Sequence, residues 1–99
     1  MSLVQVGGEN LTVSSTALGP TASEVTGKVF MAEFQNKGGG PVFFNEVTTP
    51  TAAGVTGDIV MQVGARWRVW GTDAITNCSM IRIHSDAKIA VQYFGQGGS

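Results

Sequence analysis

Between Lys28 and Asn36 the side chains alternate one by one, which places Phe30, Ala32 and Phe34 on one face and Met31, Glu33 and Gln35 on the other. The same period of two separates Ile59, Met61 and Val63 from Val60 and Gln62. It separates Ile81 and Ile83 from Arg82 and His84, and Ile89, Val91 and Tyr93 from Ala90 and Gln92. Successive side chains of an extended strand point to opposite faces, so each set marks a strand with one side turned to a core. Leu3–Val6, Asn10–Ser15, Pro41–Glu46 and Arg66–Trp70 are further short runs rich in β-forming residues. Glycines and prolines interrupt the chain between runs too often for long helices. The pattern predicts an all-β fold, a small antiparallel β-sandwich of jelly-roll type with seven to eight short strands.

Two stretches depart from this pattern. Thr72–Ser79 holds neither Gly nor Pro, and Asp73 is placed to cap one helical turn over Ala74–Asn77. Thr48–Gly57, "TTPTAAGVTG", is built of small residues and reads as an excursion between strands. In "NKGGGPVFF", Lys37 precedes the glycines, no Ser or Thr follows in place, and Pro41 opens another apolar run. A phosphate-binding loop needs the lysine after its glycines and a helix beyond. Asn36–Gly40 therefore reads as a hairpin turn, with glycines accepting positive φ.

A chain of 99 residues supports one domain. Residues 28–99 carry the β-sandwich core. Residues 1–27 hold small apolar pieces, "LVQV" and "LTV", separated by Gly7-Gly8 and broken again at Gly19-Pro20. They have too few large side chains for a core of their own, so this segment is expected to act partly as an arm or as edge strands. The arm reading sets Leu3–Val6 against another chain.

Charge and chemistry narrow the function. Only 13% of residues are charged, about half the usual ~25%, which suits a surface packed against neighbours. A net charge of −1 offers no attraction for nucleic acid or an anionic membrane. No run approaches the ~20 apolar residues of a membrane span, and Met1–Val6 lacks the features of a signal peptide, so synthesis in a cytoplasm is expected. Cys78 and His84 are the only residues of their kinds, and the seven carboxylates are scattered singly. No catalytic residue, metal site or cofactor is expected from such a set. His84-Ser85-Asp86 are sequence neighbours, which do not supply the through-space order of a triad. In "ARWRVWG", alternation sends Arg66, Arg68 and Trp70 to one face and Trp67 and Val69 to the other. Two arginines beside an exposed tryptophan fit a protein–protein interface better than a nucleic-acid groove. A carbohydrate-binding module is the alternative, with Trp70 and Phe43 or Phe44 as its aromatic strip.

The strand–turn–strand "NKGGGPVFF", the excursion "TPTAAG" and the closing pair "MIRIHSDAKIAVQYF" occur in an order similar to that of a known group. From Val29 to Phe94 the chain resembles small β-sandwich virion proteins of tailed bacteriophages, including the capsid decoration or cement class. The resemblance implies a non-enzymatic protein seated on the capsid surface or in a head–tail or tail assembly. It implies a homo-oligomer, a trimer foremost, with the major capsid protein or another virion protein as partner. The residues expected at its contacts are Leu3, Val4, Val6, Phe43, Arg66, Arg68 and Trp70.

Overall fold

The run AKIAVQYFGQ forms the central strand of the molecule, because its alternate residues Ala87, Ile89, Val91 and Tyr93 are all buried on one face. The computed structural model describes residues 3–22, 24–25, 27–47, 49–51, 53–54 and 57–96. Met1, Ser2 and four of the ten residues of the Thr48–Gly57 excursion lie outside these described residues. In chain order the elements are β1 (Leu3–Val13), β2 (Val29–Gly38), β3 (Val42–Asn45), β4 (Ile59–Met61), β5 (Arg66–Trp70), α1 (Thr72–Asn77), β6 (Ser79–Arg82) and β7 (Ala87–Gln96). Sheet A has the order β1-β7-β2-β5 and sheet B the order β4-β3-β6, with every pairing antiparallel. The fold is all-β, as the alternation requires. Leu18 adds one bridge to the free side of β6, its N–H and C=O both bonded to Met80 at 2.8 Å.

The core lies between the sheets. Phe34, Val69, Ile89, Val91 and Tyr93 of sheet A meet Val42, Phe44, Met61 and Met80 of sheet B. Phe34 and Phe44 pack edge to face with ring centroids 5.2 Å apart, and Trp67 tilts against Phe44 at 6.4 Å. Sheet A is much the longer layer, since β1, β2 and β7 have ten or eleven residues against three or four in β3, β4 and β6. At ~3.3 Å per residue the long strands span ~35 Å, most of the 45 Å molecular axis. One end of sheet A therefore runs past sheet B.

Several expectations are corrected by pairings that only neighbouring strands impose. Leu3–Val6 and Asn10–Ser15 are not separate: β1 is continuous through Gly7 and Gly8 and pairs with β7 from Leu3↔Gln96 to Val13↔Ala87. Leu3–Val6 is thus an edge strand of its own domain and does not stand away as an arm. The two glycines serve a bulge between Gln5 and Gly7 and a close approach, because a Cβ on Gly8 would lie 3.1 Å from the Val91 carbonyl. In β2 a second bulge falls between Val29 and Met31. It exposes Phe30, which alternation sets on the core face, while Met31 keeps the outer face it shares with Glu33 and is buried there. In β6, Met80 opposite Phe44 enters the core, and Ile81 opposite Phe43 is covered on the far side of sheet B.

The glycine turn is not a hairpin. β2 belongs to sheet A and β3 to sheet B, so Gly39–Pro41 is a corner carrying the chain from one layer to the other. Buried Asn36 fastens that corner: its Nδ2 donates to the carbonyls of Gly40 at 2.8 Å and Met61 at 3.1 Å, and its Oδ1 accepts from Gly38 N–H. The helical turn does form, over Thr72–Asn77, but Gly71 with φ 96° occupies the cap position and Asp73 lies in the first turn. Thr72 Oγ1 donates to the Val29 carbonyl at 2.7 Å and ties the turn to β2.

One polar cluster fixes the 14–25 connection to sheet A. The Glu9 carboxylate accepts from Thr21 N–H at 3.0 Å, from the Thr21 hydroxyl and from the Tyr93 hydroxyl. Burial pushes the Glu9 pKa up, but these hydrogen bonds outweigh it and the carboxyl titrates below its ordinary 4.5. Burial and then the bond to Glu9 push the Tyr93 phenol up. A carboxyl depressed in the folded state stabilises above its unfolded pKa, and that contribution is lost as pH falls through the folded value. The melting temperature is therefore expected to fall below pH ~4.5, and to fall less steeply in Tyr93→Phe, which removes one donor. Identical acid limbs in a pH series of thermal melts would show that the cluster does not couple to folding.

Candidate functional site

The outer face of sheet A, turned away from the core, is the one surface where exposed aromatic, aliphatic and guanidinium groups are arranged together. Three cross-strand rows traverse all four strands. The first is Trp70–Met31–Phe94–Gln5, the second Arg68–Glu33–Gln92–Gly8, and the third Arg66–Gln35–Ala90–Asn10. Each row is set by register, since directly opposed residues in antiparallel strands share a face. In the first row Trp70 is 59% exposed at the β5 edge, Met31 is buried and Phe94 half-buried. Phe30 is exposed beside it through the β2 bulge.

The apolar row continues to the opposite edge. Leu3, Val4 and Val6 are 36%, 42% and 50% exposed. Leu3–Val6 are exposed at every consecutive position, so the β1 edge itself is uncovered on both sides here. Five of the nine large exposed apolar residues among the described ones (Leu3, Val4, Val6, Phe30 and Trp70) thus sit on the overhanging end of sheet A. Exposed apolar groups scattered singly need no explanation, whereas groups gathered at one end of a sheet make a candidate contact surface.

The polar rows beside the belt are largely self-neutralised. Glu33, with a side chain only 14% exposed, accepts from Arg68 Nε at 2.9 Å and lies 4.0 Å from Arg66 Nη1. Both arginine side chains remain 62% exposed. Pairs of this kind contribute roughly 0–1 kcal/mol to stability. On the core side of the same strand, the Trp67 indole N–H is enclosed with no acceptor among the described residues. An enclosed donor without a partner costs about 1–3 kcal/mol. Trp67→Phe keeps an aromatic ring against Phe44 and removes that donor. It is expected to change stability by less than about 1 kcal/mol, against a loss of about 2–3 kcal/mol for Trp67→Ala, measured by urea denaturation.

Of the seven expected contact residues, Arg66, Arg68 and Trp70 share the outer face of sheet A, with Leu3 at its other edge. Val4 and Val6 belong to the same overhanging end; a Cβ on Gly95, opposite Val4, would lie 3.3 Å from Val6 Cγ1. Phe43 is not brought to them: it is on sheet B, opposite Val60 and Ile81, and a Cβ on Gly54 would lie 3.3 Å from its ring. An aromatic strip of Trp70 with Phe43 or Phe44 does not form, because Phe44 is fully buried in the core. Phe30 and Phe94 are residues of this surface that the sequence reading left out, whereas Met31 lies on the face alternation gave it; the bulge that exposes Phe30 leaves no mark in the sequence.

The chemically suggestive residues are employed in structure. The Ser85 hydroxyl donates to the Gly39 carbonyl and the Arg82 guanidinium to the Asp86 carboxylate. Cys78 is 2% exposed, and burial foremost, then the Glu46 charge, pushes its thiol up to about 12. Among the described residues, no three of His, Cys, Asp and Glu cluster as metal ligands would. No described helix is long and apolar enough to cross a membrane. Comparison with family models, with curated proteins and with solved structures finds no match to this chain.

Proposed function

We propose that this chain is a non-enzymatic virion structural protein, a capsid decoration or cement protein that acts through protein–protein contacts as a homo-oligomer. The observation that carries the reading is the apolar belt on the overhanging end of sheet A, running from Trp70 through Met31 and Phe94 to Leu3. A soluble enzyme of this size needs a concave site with convergent polar groups, whereas cementing neighbours needs an exposed, uncharged contact strip. Low total charge favours the second. The strand order supports the jelly-roll part of the reading. Sheet A in the order β1-β7-β2-β5, faced by Leu18-β6-β3-β4, has the eight positions of that fold, with one strand reduced to the Leu18 bridge.

On this reading the protein is made in a host cytoplasm and resides on the capsid surface, with the major capsid protein as partner. Glu33 offsets one of the two charges of Arg66 and Arg68, and a single net positive charge on this face is a weak draw for phosphates, which agrees with a protein partner. The test is the genetic neighbourhood together with particle composition. The flanking reading frames are expected to include a major capsid protein, and purified particles should contain this chain in fixed ratio to it. A gene placed among metabolic enzymes, or particles lacking the chain, would overturn the reading.

A further inference from the structure

Two sheets present four edges, and three are distinguishable by what guards them. β4 is only three residues long, and the free side of β6 is taken by Leu18. Short strands and covered edges are the usual means of preventing strand addition. The two edges of sheet A differ from these. β5 is guarded by Arg66 and Arg68, whereas the Leu3–Gly8 half of β1 has no charged side chain and is exposed along most of its length. Among the described residues no strand pairs with the outer side of either.

The two edges fit one another. β1 is antiparallel to β7, β7 to β2 and β2 to β5, so β1 and β5 run in opposite directions. Rotation of one copy about an axis along the strands therefore sets β5 of that copy beside β1 of the next as an ordinary antiparallel pair. The lengths agree, the five residues of β5 lying against the six of Gln5–Asn10 when the rows continue. So do the rows: Trp70 arrives opposite Gln5 and near Leu3, Arg68 opposite Gly8, and Arg66 opposite Asn10. The apolar belt becomes continuous from copy to copy, and both arginines meet uncharged positions. The symmetric alternative is worse in charge, since a two-fold pairing of β5 centred on Arg68 opposes one arginine to its own copy.

We propose that copies of this chain join head to tail through sheet A, the β5 edge of one against the β1 edge of the next from Gln5 to Asn10, and close into a ring. A heterologous contact closes when its rotation divides a full turn. This deepens the oligomeric part of the function proposed above, but its test requires no virion.

Gln5→Cys and Trp70→Cys are each made in the full chain, and the native Cys78 is too buried to interfere. Each variant alone is expected to stay unlinked on non-reducing gels after mild oxidation, and an equal mixture to give a disulfide-linked pair. In sedimentation equilibrium the wild type should be an oligomer of fixed size. Val4→Lys, at an exposed edge position, should keep the β-type circular dichroism and weaken self-association by about 30-fold, the loss of a hot-spot residue. Linked dimers from Gln5→Cys alone would overturn the proposal in favour of β1 self-pairing. An oligomer indifferent to Val4→Lys and unlinked in the mixture would overturn the edge contact while leaving homo-oligomerisation standing. A wild-type monomer at all concentrations would overturn the ring, while the virion reading would still be decided by its own neighbourhood and particle test.

Discussion

Gly39→Val is expected to destabilise the protein by at least about 3 kcal/mol, as the shift of a urea midpoint at unchanged slope. Gly39 has φ 96°, in the region that side-chain-bearing residues rarely adopt. A Cβ there would lie 2.1 Å from the Asp86 carbonyl oxygen and 3.0 Å from Ala87 Cα. Both obstacles are backbone, at the entry to β7, so relief requires moving the central strand or opening the corner between the sheets. Opening the corner would also pull on Asn36, whose amide bridges Gly40 and Met61. Gly38 is the internal control: nothing lies within 4 Å of its Cβ position. Gly38→Ala should cost only about 1 kcal/mol, the backbone term alone. Similar losses at the two positions would mean that conformation, not close approach, explains the glycine run.

Phe34→Ala is expected to cost about 3–5 kcal/mol in the same assay. Phe34 is fully buried on β2, between β7 and β5, and its ring meets Phe44 edge to face across the two layers. Removing it takes away transfer free energy and leaves a cavity that three fixed strands cannot close. Trp67 is the larger residue but lies on the edge strand and is only partly buried, so its truncation should cost less. A loss at Trp67→Ala exceeding that at Phe34→Ala would show that the centre of the core is misplaced.

The candidate contact surface was partly legible. Arg66, Arg68 and Trp70 share a face because five unbroken residues of β5 obey period two, and Val69 is correspondingly buried. Leu3, Val4 and Val6 were recognisable as apolar groups without a core of their own. That they meet the same sheet as Trp70 depends on β7 and β2 lying between, through pairings of residues fifty or more positions apart. Phe43 shows the converse. Its alternation is correct, yet it lies on the other sheet, and the loop around Gly54 reaches its ring.

From residue order alone came the all-β class, seven of the strand positions, the helical turn, the buried faces of β5 and β7, and the exclusion of a phosphate loop. These follow from period-two alternation and from glycine and proline chemistry, which act within a few residues. The tertiary structure alone decided that Gly7-Gly8 continues a strand, that Phe30 is exposed while Met31 on the outer face is buried, and that Gly39–Pro41 joins two sheets. Each of these is imposed by a partner strand distant in sequence: a bulge exists only relative to the ladder it interrupts, and a turn becomes a corner only when its two strands find different neighbours.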